Sequence, residues 1–91
     1  MLTAIILFSI EKKHINEVAE QLANIPGISE VYSVSGSYDV AAIVRVRANE
    51  DLADLVTQKI SQIDSIIRTE TMLAFQTHSK HDLEAMFSVG E

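Results

Sequence analysis

The stretch Val34-Ser35-Gly36-Ser37-Tyr38-Asp39-Val40 gathers the residue types with the most definite chemistry in the chain. A glycine turn exposes backbone N–H groups that can hold a carboxylate, and an adjacent aspartate supplies the opposite charge for an ammonium group. Together these two demands describe an α-amino acid. Amides near Gly36, Ser37, Tyr38 and Asp39 would take the carboxylate, Asp39 would pair with the ammonium, and Tyr38 would close the site. The plainer alternative assigns Gly36 to a hairpin, Tyr38 to an interface and Asp39 to a bond with its own turn backbone.

Other chemistries find less support. His14, His78 and His81 are the only strong neutral metal ligands, and His78 and His81 stand three apart beside Asp82. A structural metal site needs four ligands at a recognisable spacing, so the pair reads as a solvated surface feature and no metal is expected. With no cysteine there is neither a disulfide framework nor a thiolate nucleophile. The serines form no Gly-x-Ser-x-Gly elbow, and the three glycines make no phosphate-binding loop, so neither acyl-transfer chemistry nor a nucleotide cofactor is expected. Arg45, Arg47 and Arg68 could line a cleft between paired sheets, but Arg45 and Arg47 read more simply as strand-end residues paired with carboxylates at a rim.

The elements that must position the loop follow from periodicity. Residues 2–10 are apolar in both alternating sets, as in a central strand covered on both faces. Ile15, Val18, Ala19, Leu22 and Ala23 trace the stripe of an amphipathic helix, which Pro26-Gly27 ends. Strands are expected over 31–34 and 40–46, joined by a hairpin at Gly36-Ser37 that Tyr38-Asp39 can lengthen. Asn49 is placed to cap a second helix with the stripe Leu52, Leu55, Val56, Ile60 and Ile63. Residues 66–77 read as a last strand, with a short helical turn over 82–87 after it. The order is βαββαβ, and each strand-helix-strand half places its two strands parallel with another strand between them. That is an α+β, ferredoxin-like fold: one antiparallel four-stranded sheet carrying both helices on one face. The other face, with Ile5, Leu7 and Ile43, is then bare and apolar, which predicts self-association as a dimer.

With these elements in place, the run Leu22-Ala23-Asn24-Ile25-Pro26-Gly27-Ile28 through Gly36-Ser37-Tyr38-Asp39 resembles the ligand-sensing half of the Lrp/AsnC transcriptional regulators, in which a helix ending in Ile-Pro-Gly-Val leads to a strand and then to Gly-x-Tyr/Phe-Asp. Arg68-Thr69-Glu70-Thr71-Met72-Leu73 resembles that family's final strand with its characteristic Thr. The likeness spans almost the whole chain. It implies a stand-alone effector domain, the RAM domain, over residues 1–91 with no helix-turn-helix, because the first strand begins beside Met1. It further implies sheet-to-sheet dimers assembling into rings such as octamers or decamers, with amino-acid effectors held near the Gly-x-Tyr-Asp loops between dimers. Thr69 and Thr71 enter as further ligand-site candidates on the same ground. Asp64-Ser65 departs from the family, which often has Gly before the last strand.

Size and charge narrow the function classes. Ninety-one residues make one small domain, and 13 acidic against 7 basic residues give a net charge of −6, which repels nucleic-acid phosphates and acidic membranes. Direct DNA binding is therefore not expected. Without an export signal or an apolar run long enough for a membrane span, the expected address is cytoplasmic. An amino-acid-sensing oligomerisation module, acting on transcription through full-length Lrp/AsnC relatives, is the leading expectation. The rival is a small cofactor-independent enzyme of the dimeric ferredoxin-like barrel class, which would need a buried acid–base residue in an enclosed cavity. An ACT-type module would be expected to show a glycine-rich loop after the first strand, where this chain has Glu11-Lys12-Lys13.

Overall fold

Strand β1 (Leu2–Ile10) sits inside the sheet because both its edges find partners: β3 (Val40–Val46) on one side and β4 (Ile66–Leu73) on the other, both antiparallel. Strand β2 (Ile28–Ser33) pairs antiparallel with β3, giving the order β2-β3-β1-β4. The computed structural model describes residues 1–78. Helix α1 (Ile15–Ala23) and a second helical run beginning with α2 (Asn49–Asp54) provide the two crossovers, so the ferredoxin-like expectation holds.

The core lies between the helices and one face of the sheet. Ala4, Ile6, Phe8 and Ile10 of β1 are fully or almost fully buried, alternating with the partly exposed Ile5, Leu7 and Ser9. Register places Val40, Ala42 and Val44 beside Phe8, Ile6 and Ala4, and Val18 and Leu22 of α1 close over them. One pleat direction is therefore core and the other is the second face of the sheet.

Four boundaries differ from expectation, each for a local reason. The end of β2 falls at Ser33 rather than 34, where the Val34 N–H turns to the Asp39 carbonyl. Strand β2 begins at Ile28 rather than 31, since Ile28 pairs with Val44 and is buried; a bulge between Ile28 and Glu30 disguises its alternation. Asn49 is already helical and Ala48 holds the cap position, where its N–H donates to the Asp51 carboxylate at 3.2 Å, half of a capping box. Strand β4 stops at Leu73 rather than 77, and the Ala74 N–H, donating to the Thr3 carbonyl at 2.9 Å, marks the end of its pairing with β1. The turn expected over 82–87 lies outside the described residues.

The second helical run is not uniform. After Asp54 it widens into a π turn over Leu55–Lys59 and tightens into a 3₁₀ turn over Ile60–Gln62. Leu55 and Ile60 are both buried although they stand five apart, a spacing that an ordinary α-helix would rotate away from one face. The i→i+5 bond from the Ile60 N–H to the Leu55 carbonyl brings them to the same side.

Candidate functional site

The connection between β2 and β3 is a six-residue loop, residues 34–39, closed at its base by the Val34 N–H donating to the Asp39 carbonyl at 3.0 Å. Gly36 takes φ +114°, a conformation side chains disfavour, and nothing stands within 4 Å of where a Cβ would lie. The expected glycine turn is thus present at the most open point of the loop. The amides of residues 35–38 donate to no other described residue, which leaves them available to an anion.

Asp39 is held at three atoms. Its N–H donates to the Phe8 carbonyl at 2.8 Å, its carbonyl accepts from Val34, and its Oδ2 accepts the Ile10 N–H at 2.8 Å. The side chain therefore bonds the backbone at the end of β1 rather than its own turn. This stitching fixes the carboxylate in place and leaves Oδ1 without a bond to any described residue.

Tyr38 projects across the second sheet face. Although its chain position precedes β3, its hydroxyl donates to Glu70 Oε1 on β4 at 2.8 Å, so the side chain spans β1, and the Arg68 guanidinium lies 5.0 Å over its ring. The bond to Glu70 raises the Tyr38 hydroxyl above the ordinary tyrosine value of 10.0; its burial acts in the same sense and Arg68 opposes. Nothing in the spacing of the sequence joins position 38 to 68 and 70, so Arg68 and Glu70 are neighbours of the loop that only the strand register discloses. A second cluster sits across the same face: Tyr32 donates to Glu30, Arg45 lies 3.7 Å from Glu30, and Arg45 donates to Ser29 Oγ at 2.8 Å. Arg45 thus pairs with a carboxylate as expected.

Thr69 and Thr71 do not join the loop within the chain. They stand opposite Phe8 and Ile6 and so belong to the helix-side face, whereas Arg68, Glu70 and Met72 share the other face with Ser9, Leu7 and Ile5. Both threonines are exposed, and Thr69 borders a shallow groove of about 250 Å³ between β4 and the π turn, walled by Val56, Ile60, Ile63 and Ile66. Ser37 is exposed at the loop tip. His14 pairs with Glu17 at 3.3 Å, and no group of three potential metal ligands occurs among the described residues, which include His78 but neither His81 nor Asp82. No polar or charged side chain is buried among the described residues, and no helix there is long and apolar enough to cross a membrane.

The family model of the Lrp/AsnC ligand binding domain matches residues 3–83. The chain belongs to the Lrp/AsnC family. An uncharacterised HTH-type transcriptional regulator from Pyrococcus furiosus is 41% identical over 61 residues, which make up 67% of this chain and 41% of that protein. The chain thus spans well under two thirds of the length of this curated Lrp/AsnC-type relative. The crystal structure of a protein from Thermus thermophilus matches with a TM-score of 0.83 at 40% identity, covering 88% of this chain and 100% of that one. A transcriptional regulator from Neisseria meningitidis, solved in complex with L-Met, shares the fold at 17% identity, with a TM-score of 0.76 over 87% of this chain and 54% of that one.

Proposed function

We propose that this Lrp/AsnC domain is an amino-acid-sensing oligomerisation module. The observation that carries the reading is the open loop at Gly36. Free amides for a carboxylate stand there beside Asp39, whose Oδ1 is unengaged and whose position is fixed by the Ile10 N–H. Gly36, Ser37, Tyr38 and Asp39 form the protomer's share of the site. Thr69 and Thr71, exposed on the opposite face, contribute from a neighbouring copy. The N. meningitidis regulator supports the amino-acid class, since one protein of this fold was solved with L-Met.

The module self-associates through the sheet face that the helices leave bare, where Ile5, Leu7, Ile43 and Met72 form the apolar centre. Dimers assemble further into octamers or decamers, which is where a second copy's threonines meet the loop. Its effect on transcription is indirect. A chain of net charge −6 does not hold a phosphate backbone, so it acts by co-assembling with full-length Lrp/AsnC regulators that read the DNA. Native mass spectrometry against a panel of the standard amino acids tests the reading, because it reports assembly size and ligand together. Stoichiometric retention of one amino acid by an oligomer is expected. An oligomer that retains none of them would overturn the sensing role.

A further inference from the structure

The sheet face carries a charge pattern that bears on how the loop and the assembly communicate. Its outward-pointing charges are Glu30, Arg45, Arg68 and Glu70, two of each sign and so no net charge. Glu17 and Glu20 on α1 and Glu50, Asp51 and Asp54 against Lys59 on the second helical run give −4 on these two helices, which Lys12 and Lys13 in the turn before α1 reduce to −2 on the helix side. A second copy of this acidic chain therefore meets least repulsion at the sheet face. At that face the balanced charges are grouped in two like sets, Tyr32–Glu30–Arg45 toward the β2 edge and Tyr38–Glu70–Arg68 toward the β4 edge, with the apolar centre between them.

Only the second set reaches the loop. Tyr38 lies one residue from Asp39 and two from Gly36, yet its hydroxyl and ring engage exposed β4 side chains on the face itself. From this geometry we infer that Tyr38 is a positioning residue linking the loop to the paired face: docking of a second copy over Arg68 and Glu70 immobilises Tyr38 and so orders residues 34–38. The inference rests on the sheet-face dimer proposed above and adds to it a direction of coupling. By linkage, anything that orders the loop strengthens pairing by the same factor as pairing favours the ordered loop.

Hydrogen exchange of the full chain, followed by mass spectrometry at protein concentrations above and below the dimer dissociation constant, tests this without any ligand. In wild type, protection of amides 35–38 should rise about 3- to 10-fold on dimerisation, the range that one hydrogen bond supplies. Tyr38→Phe, which keeps the ring but loses the hydroxyl, should abolish most of that rise. Glu70→Gln, which still accepts the bond, should retain it, whereas Glu70→Leu should lose it. Circular dichroism checks that the exposed-site variants fold. A dimer whose loop protection is the same in wild type and Tyr38→Phe overturns the coupling and leaves the sensing role untouched. Sedimentation showing only monomer overturns the dimer, and the coupling with it.

Discussion

Asp39 accepts the Ile10 N–H with one carboxylate oxygen and, in the proposed site, offers the other to an ammonium group, and substitution can divide the two roles. Asp39→Ala removes the acceptor of the Ile10 N–H, so unfolding free energy should fall by about 1–3 kcal/mol, and affinity for an amino acid found by screening should fall by about 1.5–3 kcal/mol with it. Asp39→Asn keeps an oxygen for Ile10 but loses the charge. Denaturant unfolding should then stay within about 1 kcal/mol of wild type while calorimetry shows the same loss of affinity. Equal affinities in wild type and Asp39→Asn would reduce Asp39 to a strand stitch. The two tyrosines titrate in a defined direction. Tyr32 and Tyr38 are both raised above 10.0 by bonds to Glu30 and Glu70, so each favours the folded state while neutral, and that contribution persists below pH 10 and is lost as pH rises through the raised value. Tyrosinate absorbance of the folded protein should rise only above pH 10, with half the amplitude in Tyr38→Phe. The loop's residue types were readable from sequence because Gly-x-Tyr-Asp is contiguous. Glu70 and the Ile10 amide were not, since they are 32 and 29 positions from their partners and only register brings them near.

Among the elements, the two positive-φ glycines separate strain from crowding. At Gly36 a Cβ meets open space, so Gly36→Ala carries backbone strain alone, about 1–2 kcal/mol. At Gly27, with φ +100°, a Cβ would come within 3.1 Å of both Leu55 Cδ1 and Val46 Cγ1. Gly27→Ala should therefore lower the thermal midpoint more than Gly36→Ala, and a reversed order would show that Leu55 and Val46 around Gly27 give way easily. Periodicity was a sound guide to β1, α1 and β3, where alternation or stripe is unbroken. It misplaced the start of β2, where the bulge at Ser29 interrupts alternation, and the end of β4, where strand length depends on the partner rather than on propensity. The π turn was also hidden, because Leu55, Val56 and Ile60 fit a helical stripe loosely whichever winding they adopt. Since that turn carries Ile60 into the core, Ile60→Ala should cost about 2–5 kcal/mol in denaturant unfolding, as for a buried aliphatic side chain.

For the molecule as a whole, the bare face is the decisive surface. Leu7→Lys places a charge in its apolar centre without touching the helix-side core, so sedimentation should shift toward monomer while circular dichroism stays close to wild type. A variant that remains dimeric would move the interface elsewhere. The four-stranded order and one-sided helices were legible in sequence because two strand-helix-strand halves admit few right-handed arrangements. The uneven sidedness of charge was not, since it depends on which alternate residues of four strands share a face. That sidedness bears on colloidal behaviour. In the proposed sheet-face assembly the surroundings meet mainly the carboxylate-rich helices, and mutual repulsion between assemblies should keep them dispersed at neutral pH. With an isoelectric point near 4.9, the net charge vanishes in mild acid, so light scattering should report clustering of intact particles there while their folded cores remain unchanged.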